Sequence, residues 1–314
     1  MKVLIAGGAG FIGSNLTKLL LEKNHKVTLI DNLITGNEKN IAPLLDNKNL
    51  NFFWQDLTTF DFDKFQAYDL IFQLASPASP IKYKQYPIET LMVNSLGTKK
   101  LLDFMVKSKS KTFVLASTSE VYGNPLVHPQ VETYWGNVNP NGVRSCYDES
   151  KRFAESITMT YFRKFELDIR IARIFNTYGP NMEQNDGRIV SNFIMQALTN
   201  QPFTIYGNGK QTRSFCYVDD LIQGLFLLGT TKGISGEVIN LGNPIEKTVA
   251  EMAAIIKKLT NSQSVMVEQQ IEADDPQKRK PDITKAKKLL DWQPQIMLDE
   301  GLTKTINYFK ERYL

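Results

Sequence analysis

The octapeptide GGAGFIGS, residues 7–14, sets glycines at 7, 10 and 13 between two segments of different character. Before it lies the apolar run MKVLIA, composed like a buried strand. After it, Leu16, Leu19 and Leu20 fall on one helix face. Glycine weakens strands and helices alike, so three of them at a strand-to-helix turn mark a backbone that must come close to something. The free N–H groups of a helix start can hold an anion there. The next strand-like run, KVTLID, ends on Asp31, 18 positions beyond Gly13. In a dinucleotide-binding unit an acid at that place hydrogen-bonds the adenine ribose and repels a 2′-phosphate, which favours NAD over NADP.

The alternation continues outward. LNFFWQD (50–56), YDLIFQLA (68–75), KTFVLAS (111–117) and LDIRIARI (167–174) read as further strands. Helical patterns lie between most of them, one through Leu91, Gly97, Leu101, Leu102 and Met105, another through Phe153, Ile157 and Tyr161. Such alternation predicts an α/β fold with a doubly wound parallel sheet of Rossmann type. Beyond residue 175 the loops lengthen, as in NTYGPNMEQNDGR, IYGNGKQTRSF and NLGNPIEKT, and helices are expected at 189–199, 219–228, 248–259 and 299–312. The reading is an NAD-binding Rossmann domain over 1–175 and a smaller lobe over 176–314, partly interleaved with it and sharing its cleft.

Composition narrows the function classes. The chain has 314 residues, 42% hydrophobic and 22% charged, as in a globular protein with a sizeable core. A dispersed net charge of +4 argues against nucleic acid. KSKSK (107–111) reads as a solvated helix end, and QKRKPD (277–282) follows ADDP, which balances its charge. No apolar run reaches the length of a membrane span, and Met1 leads straight into the first strand, so neither membrane nor signal peptide is expected. The two cysteines, Cys146 and Cys216, form no CxxC, and His25 and His128 stand apart. No metal site or disulfide framework is expected, and the cytoplasm is the expected setting.

SCYDESK places Tyr147 and Lys151 four residues apart at a helix start, on one face. A lysine ammonium near a phenol favours phenolate, which can take a proton from an alcohol as hydride leaves for a nicotinamide. ASTSEVYG ends the fifth strand, where ligands of open α/β sheets gather, so Ser117, Thr118, Ser119 and Glu120 are expected to face a substrate. A hydroxyl there can share the alcohol proton with Tyr147.

The GxxGxxG spacing with Tyr147 and Lys151 resembles the short-chain dehydrogenase/reductase superfamily. The likeness sharpens with LASPASP, PIETLMVNSLGT, LASTSEVYGNPLVHPQ, YWGNVNPNG, CYDESKR, ARIFNTYGPNM, NDGRIVSNFI, SFCYVDDLI and DDPQKRKPDITKAKKLLDW. From residue 1 to about 312 the chain resembles the UDP-glucuronate decarboxylases, or UDP-xylose synthases. SPASP, the TSE triplet and DDPQKRKPD discriminate best; the motifs shared with epimerases discriminate weakly.

That resemblance implies a set of roles. Gly7, Gly10, Phe11, Ile12 and Gly13 would line the NAD pyrophosphate. Asp31, Asn32, Gly36, Asp56, Leu57, Leu74, Ala75 and Ser76 would surround the adenosine. Ala116, Tyr147, Lys151, Thr177 and Arg188 would complete the cofactor site. Thr118, Glu120, Tyr147, Lys151 and Arg279 would be catalytic. Ala78, Tyr83, Thr118, Ser119, Arg144 and Asn176 would meet the sugar and phosphates, and Tyr206, Gln211 and Arg213 the uridine and diphosphate. Arg279 would hold the glucuronate carboxylate through two N–H groups. The implied reaction oxidises C4 of the sugar, releases CO2 from the resulting β-keto acid and reduces C4 again, recycling NAD.

Two positions depart from the family. Gln73 stands where histidine is frequent, and Ser150 where an acid or glycine precedes the lysine. The alternatives are a UDP-hexose 4-epimerase, against which Glu120 stands, and a nucleotide-sugar 4,6-dehydratase, against which Ser119 stands, since those enzymes carry Asp-Glu there. A non-catalytic NAD-sensing protein would lack Tyr147 or Lys151, and both are present. Related dehydrogenases pair two long helices across a two-fold axis. A homodimer is therefore expected on helices 88–107 and 147–165, through Ile88, Leu91, Leu102, Ile157, Met159 and Phe162.

Overall fold

The computed structural model describes residues 1–270 and 278–314. Asp274 to Gln277 of the DDPQKRKPD motif therefore lie outside the described residues. Six strands follow the predicted order: β1 (Lys2–Ala6), β2 (Lys26–Asp31), β3 (Leu50–Trp54), β4 (Leu70–Gln73), β5 (Thr112–Thr118) and β6 (Asp168–Ile174). A seventh, Val238–Leu241, pairs with β6; its last two residues begin the NLGNPIEKT stretch expected as loop. The sheet order is Val238–Leu241, β6, β5, β4, β1, β2, β3, and every pairing is parallel.

Burial explains the parallel order. Along β1, Val3 and Ile5 join one apolar cluster while Leu4 and Ala6 join another on the opposite face. Strands buried on both faces read as continuous apolar runs, as the sequence does here. Helix Phe11–Glu22 covers one face with Leu16 and Leu20; Leu101, Leu102 and Ala154 cover the other. The chain leaves β1 toward β3 on one side and returns to β4 on the other. The carboxyl ends of β1 and β4 therefore flank the crevice where ligands of doubly wound sheets bind.

Residues after 175 build smaller pieces around the same crevice. Thr212–Ser214 pairs antiparallel with Glu246–Thr248 and parallel with Lys278–Arg279. This short sheet sets Arg213 and Arg279 in register. The 176–314 lobe also gives Val238–Leu241 back to the main sheet, and its helix Val218–Thr230 packs on β5 and β6.

The helix expected over 88–107 is not continuous. It runs as Pro87–Met92, a π turn Val93–Gly97, and Thr98–Ser108. The wide turn holds Asn94, fully buried, whose Nδ2 donates to Ser76 Oγ (2.9 Å) and Ser150 Oγ (3.0 Å). Polar bonds to the loop after β4 and to the neighbouring helix accompany this departure from regular helical geometry, and π turns are frequent at functional sites.

Candidate active site

Two adjoining cavities, of about 610 and 250 Å³, share Gly7, Gly10, Thr35, Leu74 and Ser76. Every residue assigned to a site from the sequence lines one or the other. The smaller takes Asp31, Asn32, Gly36, Asp56, Leu57 and Ala75. The larger takes Phe11, Ile12, Gly13, Ala78, Tyr83, Ala116, Thr118, Ser119, Glu120, Arg144, Tyr147, Lys151, Asn176, Thr177, Arg188, Tyr206, Gln211, Arg213 and Arg279.

The glycines divide their work. A Cβ on Gly13 would lie 2.0 Å from the Gly7 carbonyl, and one on Gly7 (φ +82°) would strike the Ala75 backbone at 2.6 Å. These two let the helix and β4 pack against the turn. Gly10, whose nearest neighbour to such a carbon is 3.5 Å away, opens onto both cavities. A diphosphate fits there, facing the N–H groups that begin helix Phe11–Glu22. Asp31 accepts from Ala9 N (2.9 Å) and Leu33 N (2.8 Å), which leaves lone pairs for ribose hydroxyls. Burial raises its pKa, and those backbone bonds oppose the rise. Gly36 keeps the space beside it, since a Cβ would meet Asp31 Oδ1 at 2.7 Å. Asn32 donates to Asp56 (2.6 Å), closing the adenine side. The site fits NAD.

Tyr147 and Lys151 sit in the first turns of helix Ser145–Phe165, both buried. Thr118, at the end of β5, hydrogen-bonds the Tyr147 phenol. Lys151 Nζ donates to the Ala116 carbonyl (2.8 Å) and lies 6.0 Å from the centre of the Tyr147 ring. The expected depression of the phenol is not what the structure gives. Burial pushes Tyr147 up to about 12, with Thr118 opposing. The same burial brings Lys151 down to about 7 against the pull of Glu155. A dry pocket disfavours both charged forms, and the ammonium faces a carbonyl. Tyr83 stacks on Tyr147, with ring centres 5.1 Å apart and planes 6° apart, which fixes the phenol in the cleft.

The third centre is Glu120. Its carboxylate accepts from Arg144 (2.6 Å) and Arg279 (3.2 Å). Burial works to protonate it, but Arg279, Arg144 and Arg213 prevail and hold it well below the usual carboxylate range. Arg279 is only 1% exposed. It donates to the Ser119 carbonyl, the Gly123 carbonyl (3.1 Å) and Glu120. Its Nε has no hydrogen-bond partner among the described residues. Its two terminal nitrogens are anchored at the end of β5, and it adds positive potential to a cleft that Arg144 and Arg213 also line.

Sequence reading missed Asn94. Asn94 bridges the β4 end to the catalytic helix through Ser76 and Ser150; Ser150 Oγ also donates to the Tyr147 carbonyl (2.9 Å). Its signal was a polar residue inside an otherwise apolar helical pattern. Gln73, the first family departure, is buried and donates to Thr98 Oγ1 (3.3 Å) while accepting from Ala75 N (3.1 Å), so it steadies the loop after β4.

A Rossmann sheet whose crevice joins a dinucleotide turn, a Tyr–Lys pair and an arginine-rich cleft defines an extended short-chain dehydrogenase/reductase. The chain matches the family model described as GDP-mannose 4,6 dehydratase over residues 4–305. It is 48% identical over 310 residues to UDP-glucuronic acid decarboxylase 1 of Xenopus tropicalis, covering 99% of this chain and 72% of that one. It is 47% identical over 315 residues to UDP-glucuronic acid decarboxylase 4 of Arabidopsis thaliana, covering 99% and 69%. Among solved structures it is similar to the UDP-glucuronic acid 4-epimerase of Bacillus cereus in complex with UDP-glucuronic acid and NAD. There the TM-score is 0.90 at 29% identity, over all of both chains. The protein belongs to the UDP-glucuronic acid decarboxylase family.

The buried lysine sets a test. Between pH 7 and its ordinary value of 10.5, Lys151 binds fewer protons folded than unfolded, so wild-type stability rises with pH through that window. Lys151→Met removes this dependence. In urea denaturation the variant is expected to gain most over wild type near pH 7, and the gap should shrink toward pH 10. A gap independent of pH would show that Lys151 is not destabilised by its charge.

Proposed function

We propose that the protein converts UDP-glucuronate to UDP-xylose and CO2 with NAD as a recycled cofactor. The observation that carries this is the ionised Glu120 between Arg144 and Arg279, beside Tyr147 and Thr118 in one cleft. A carboxylate so held is no proton donor for expelling a hydroxyl, which the dehydratase reading requires.

In this reading Gly10, Phe11 and Ile12 hold the cofactor diphosphate and Asp31 its ribose. The chemistry the cofactor supplies when bound is the reversible removal of two electrons from C4 of the sugar. Tyr147, bridged by Thr118, takes the proton from the C4 hydroxyl and later returns it. Lys151 keeps positive charge near that exchange. Arg213 faces the substrate diphosphate and Arg188 the cofactor, while Tyr206 and Gln211, joined by a 2.6 Å bond, frame the uridine. Arg144 and Arg279 set a positive potential for the glucuronate carboxylate, which leaves as CO2 once the C4 ketone can accept the electron pair.

The purified protein is expected to release CO2 from UDP-glucuronate and yield UDP-xylose without stoichiometric NADH. Tyr147→Phe should cut turnover by at least ~10²-fold while still binding NAD. UDP-galacturonate as the sole product would replace the decarboxylase reading with an epimerase.

The working unit in this reading is a homodimer. Ile88 (64% exposed), Leu91, Met92, Leu96 and Phe153 are exposed on adjoining helices. That is more apolar surface than a lone helix pair leaves to water. The patch differs from the expected one: Leu102 is core, and Phe162 packs over Gly236. Cys146 and Cys216 are free thiols, consistent with the cytoplasm, and among the described residues no helix is long and apolar enough to cross a membrane. Light scattering should give about twice the 35.7 kDa chain mass, and Phe153→Asp should lower it. A wild-type mass of one chain would exclude the dimer.

A further inference from the structure

We propose that residues 180–188 form a strap across the cofactor diphosphate, and that the hydrogen bond between Asn37 and Glu183 is the catch that holds it shut. Sheet order places the strap. β1 lies between β2 and β4. Asn37 follows β2, and Ile81 belongs to helix Pro80–Gln85, after β4. Asn37 Nδ2 donates to Glu183 Oε1 (2.7 Å). Four residues on, Gly187 packs on Ile81 so closely that a Cβ there would lie 2.6 Å from Ile81 Cδ1. The segment therefore runs from the β2 side of the crevice to the β4 side. Two strand spacings are about 10 Å, and four extended residues reach about 13–14 Å, so so short a bridge passes over the end of β1. The glycine turn lies there. Met182, Glu183, Asp186, Gly187 and Arg188 line the same cavity as Gly10.

The strap is held unequally along its length. Residues 180–182 are pinned by four bonds. Asn15 Nδ2 donates to the Pro180 carbonyl (3.1 Å), Asn181 Nδ2 to Ser14 Oγ (3.0 Å), the Tyr308 hydroxyl to Asn181 Oδ1 (3.1 Å) and the Tyr313 hydroxyl to the Met182 carbonyl (2.9 Å). From Glu183 to Arg188, among the described residues, the Asn37 bond is the side-chain hydrogen bond to the NAD-binding domain. Asn37 is set for this task. Its backbone N–H donates to the Ala9 carbonyl (3.0 Å), and its Oδ1 accepts from Lys39 N (3.0 Å), which turns Nδ2 toward Glu183. Asp186 and Arg188 pair with each other at 3.0 Å, so Arg188 comes to the cleft with the strap.

A charge argument separates a catch from simple electrostatics. Glu183 brings a carboxylate to a cavity that takes a diphosphate. By charge alone it weakens cofactor binding; by closing the strap it slows cofactor release. Its removal therefore has opposite effects in the two cases. The purpose of the strap, though not its geometry, rests on the decarboxylase reading. In that reading the hydride taken from C4 must return to the same sugar. Escape of the reduced cofactor in between leaves a UDP-4-ketosugar with no hydride to recover. Segments that close over a site commonly set release rates, and one neutral-to-charged hydrogen bond is enough to shift such an equilibrium. Asn37 and Glu183 are thus positioning residues and touch none of the reacting atoms.

The first test needs no sugar. The full chain is loaded with NADH, excess NAD is added, and the decay of bound-NADH fluorescence gives the release rate. Glu183→Ala is expected to release NADH at least ~10-fold faster than wild type, the scale of one hydrogen bond to a charged group. Glu183→Gln can still accept from Asn37 and should stay near wild type. Asn37→Asp keeps the bond to Lys39 N but sets two carboxylates face to face, so it should also release faster. Adding Glu183→Gln, whose amide can donate to the new carboxylate, should restore retention. If Glu183→Ala does not fold, the Asn37→Asp series decides. The proposal is overturned if Glu183→Ala releases NADH at the wild-type rate or more slowly, if Glu183→Gln is as fast as Glu183→Ala, or if the double variant is no slower than Asn37→Asp. With NAD and UDP-glucuronate, Glu183→Ala should release CO2 at near the wild-type initial rate while free NADH accumulates. CO2 without free NADH would overturn the role in recycling. Absence of CO2 from the wild type would instead sink the decarboxylase reading and leave the sugar-free result to judge the strap.

Discussion

The site depends on keeping the Glu120 carboxylate ionised in a dry place. Three parts of the chain meet on it: the end of β5, the start of the catalytic helix through Arg144, and the Lys278–Arg279 strand through Arg279. A buried charge is costly unless paired and hydrogen-bonded, and removing one partner of such a group costs more than the pair itself contributes. The geometry therefore ties the second lobe to the first. Arg279 adds two backbone carbonyls of the β5 turn to its grip, so this short strand is fixed against the cleft. Arg213, in register on the neighbouring strand, is carried into the cleft by the same sheet.

Topology supplies the other half. Because β1 and β4 lie side by side while the chain departs in opposite directions, their ends leave a crevice floored by the glycine turn. The catalytic helix reaches this crevice from across the sheet. Asn94 in its π turn couples the two by bonding Ser76 after β4 and Ser150 on the helix. The loop after β4 and the helix that carries Tyr147 and Lys151 are thus joined by one polar bridge.

Much of this was legible in the residues. The period of apolar positions gave six strands and the main helices, because strands buried on both faces and amphipathic helices write their burial into composition. Every residue assigned to the site lines the two cavities. What stayed hidden was set by three-dimensional context. Val238–Leu241 is too short to separate from its loops by pattern alone, yet it completes the sheet. The π turn depends on bonds to distant residues. Charge and motif say nothing of burial, so the bonds of Arg279 to Glu120 and to the carbonyls of Ser119 and Gly123 were not legible. Lys151 and Tyr147 show the same limit: spacing brings them together, but the dielectric around them decides which way each titrates.

The most direct measurement is a double-mutant cycle between Glu120 and Arg279, using Glu120→Gln, Arg279→Gln and the pair, with stability read by urea denaturation. If their interaction holds the two lobes around the site, the coupling should be about 1–3 kcal/mol, the double variant losing much less than the sum of the single ones. Additive losses, with coupling near zero, would mean that Glu120 and Arg279 are neighbours without joint purpose and that something else organises the cleft.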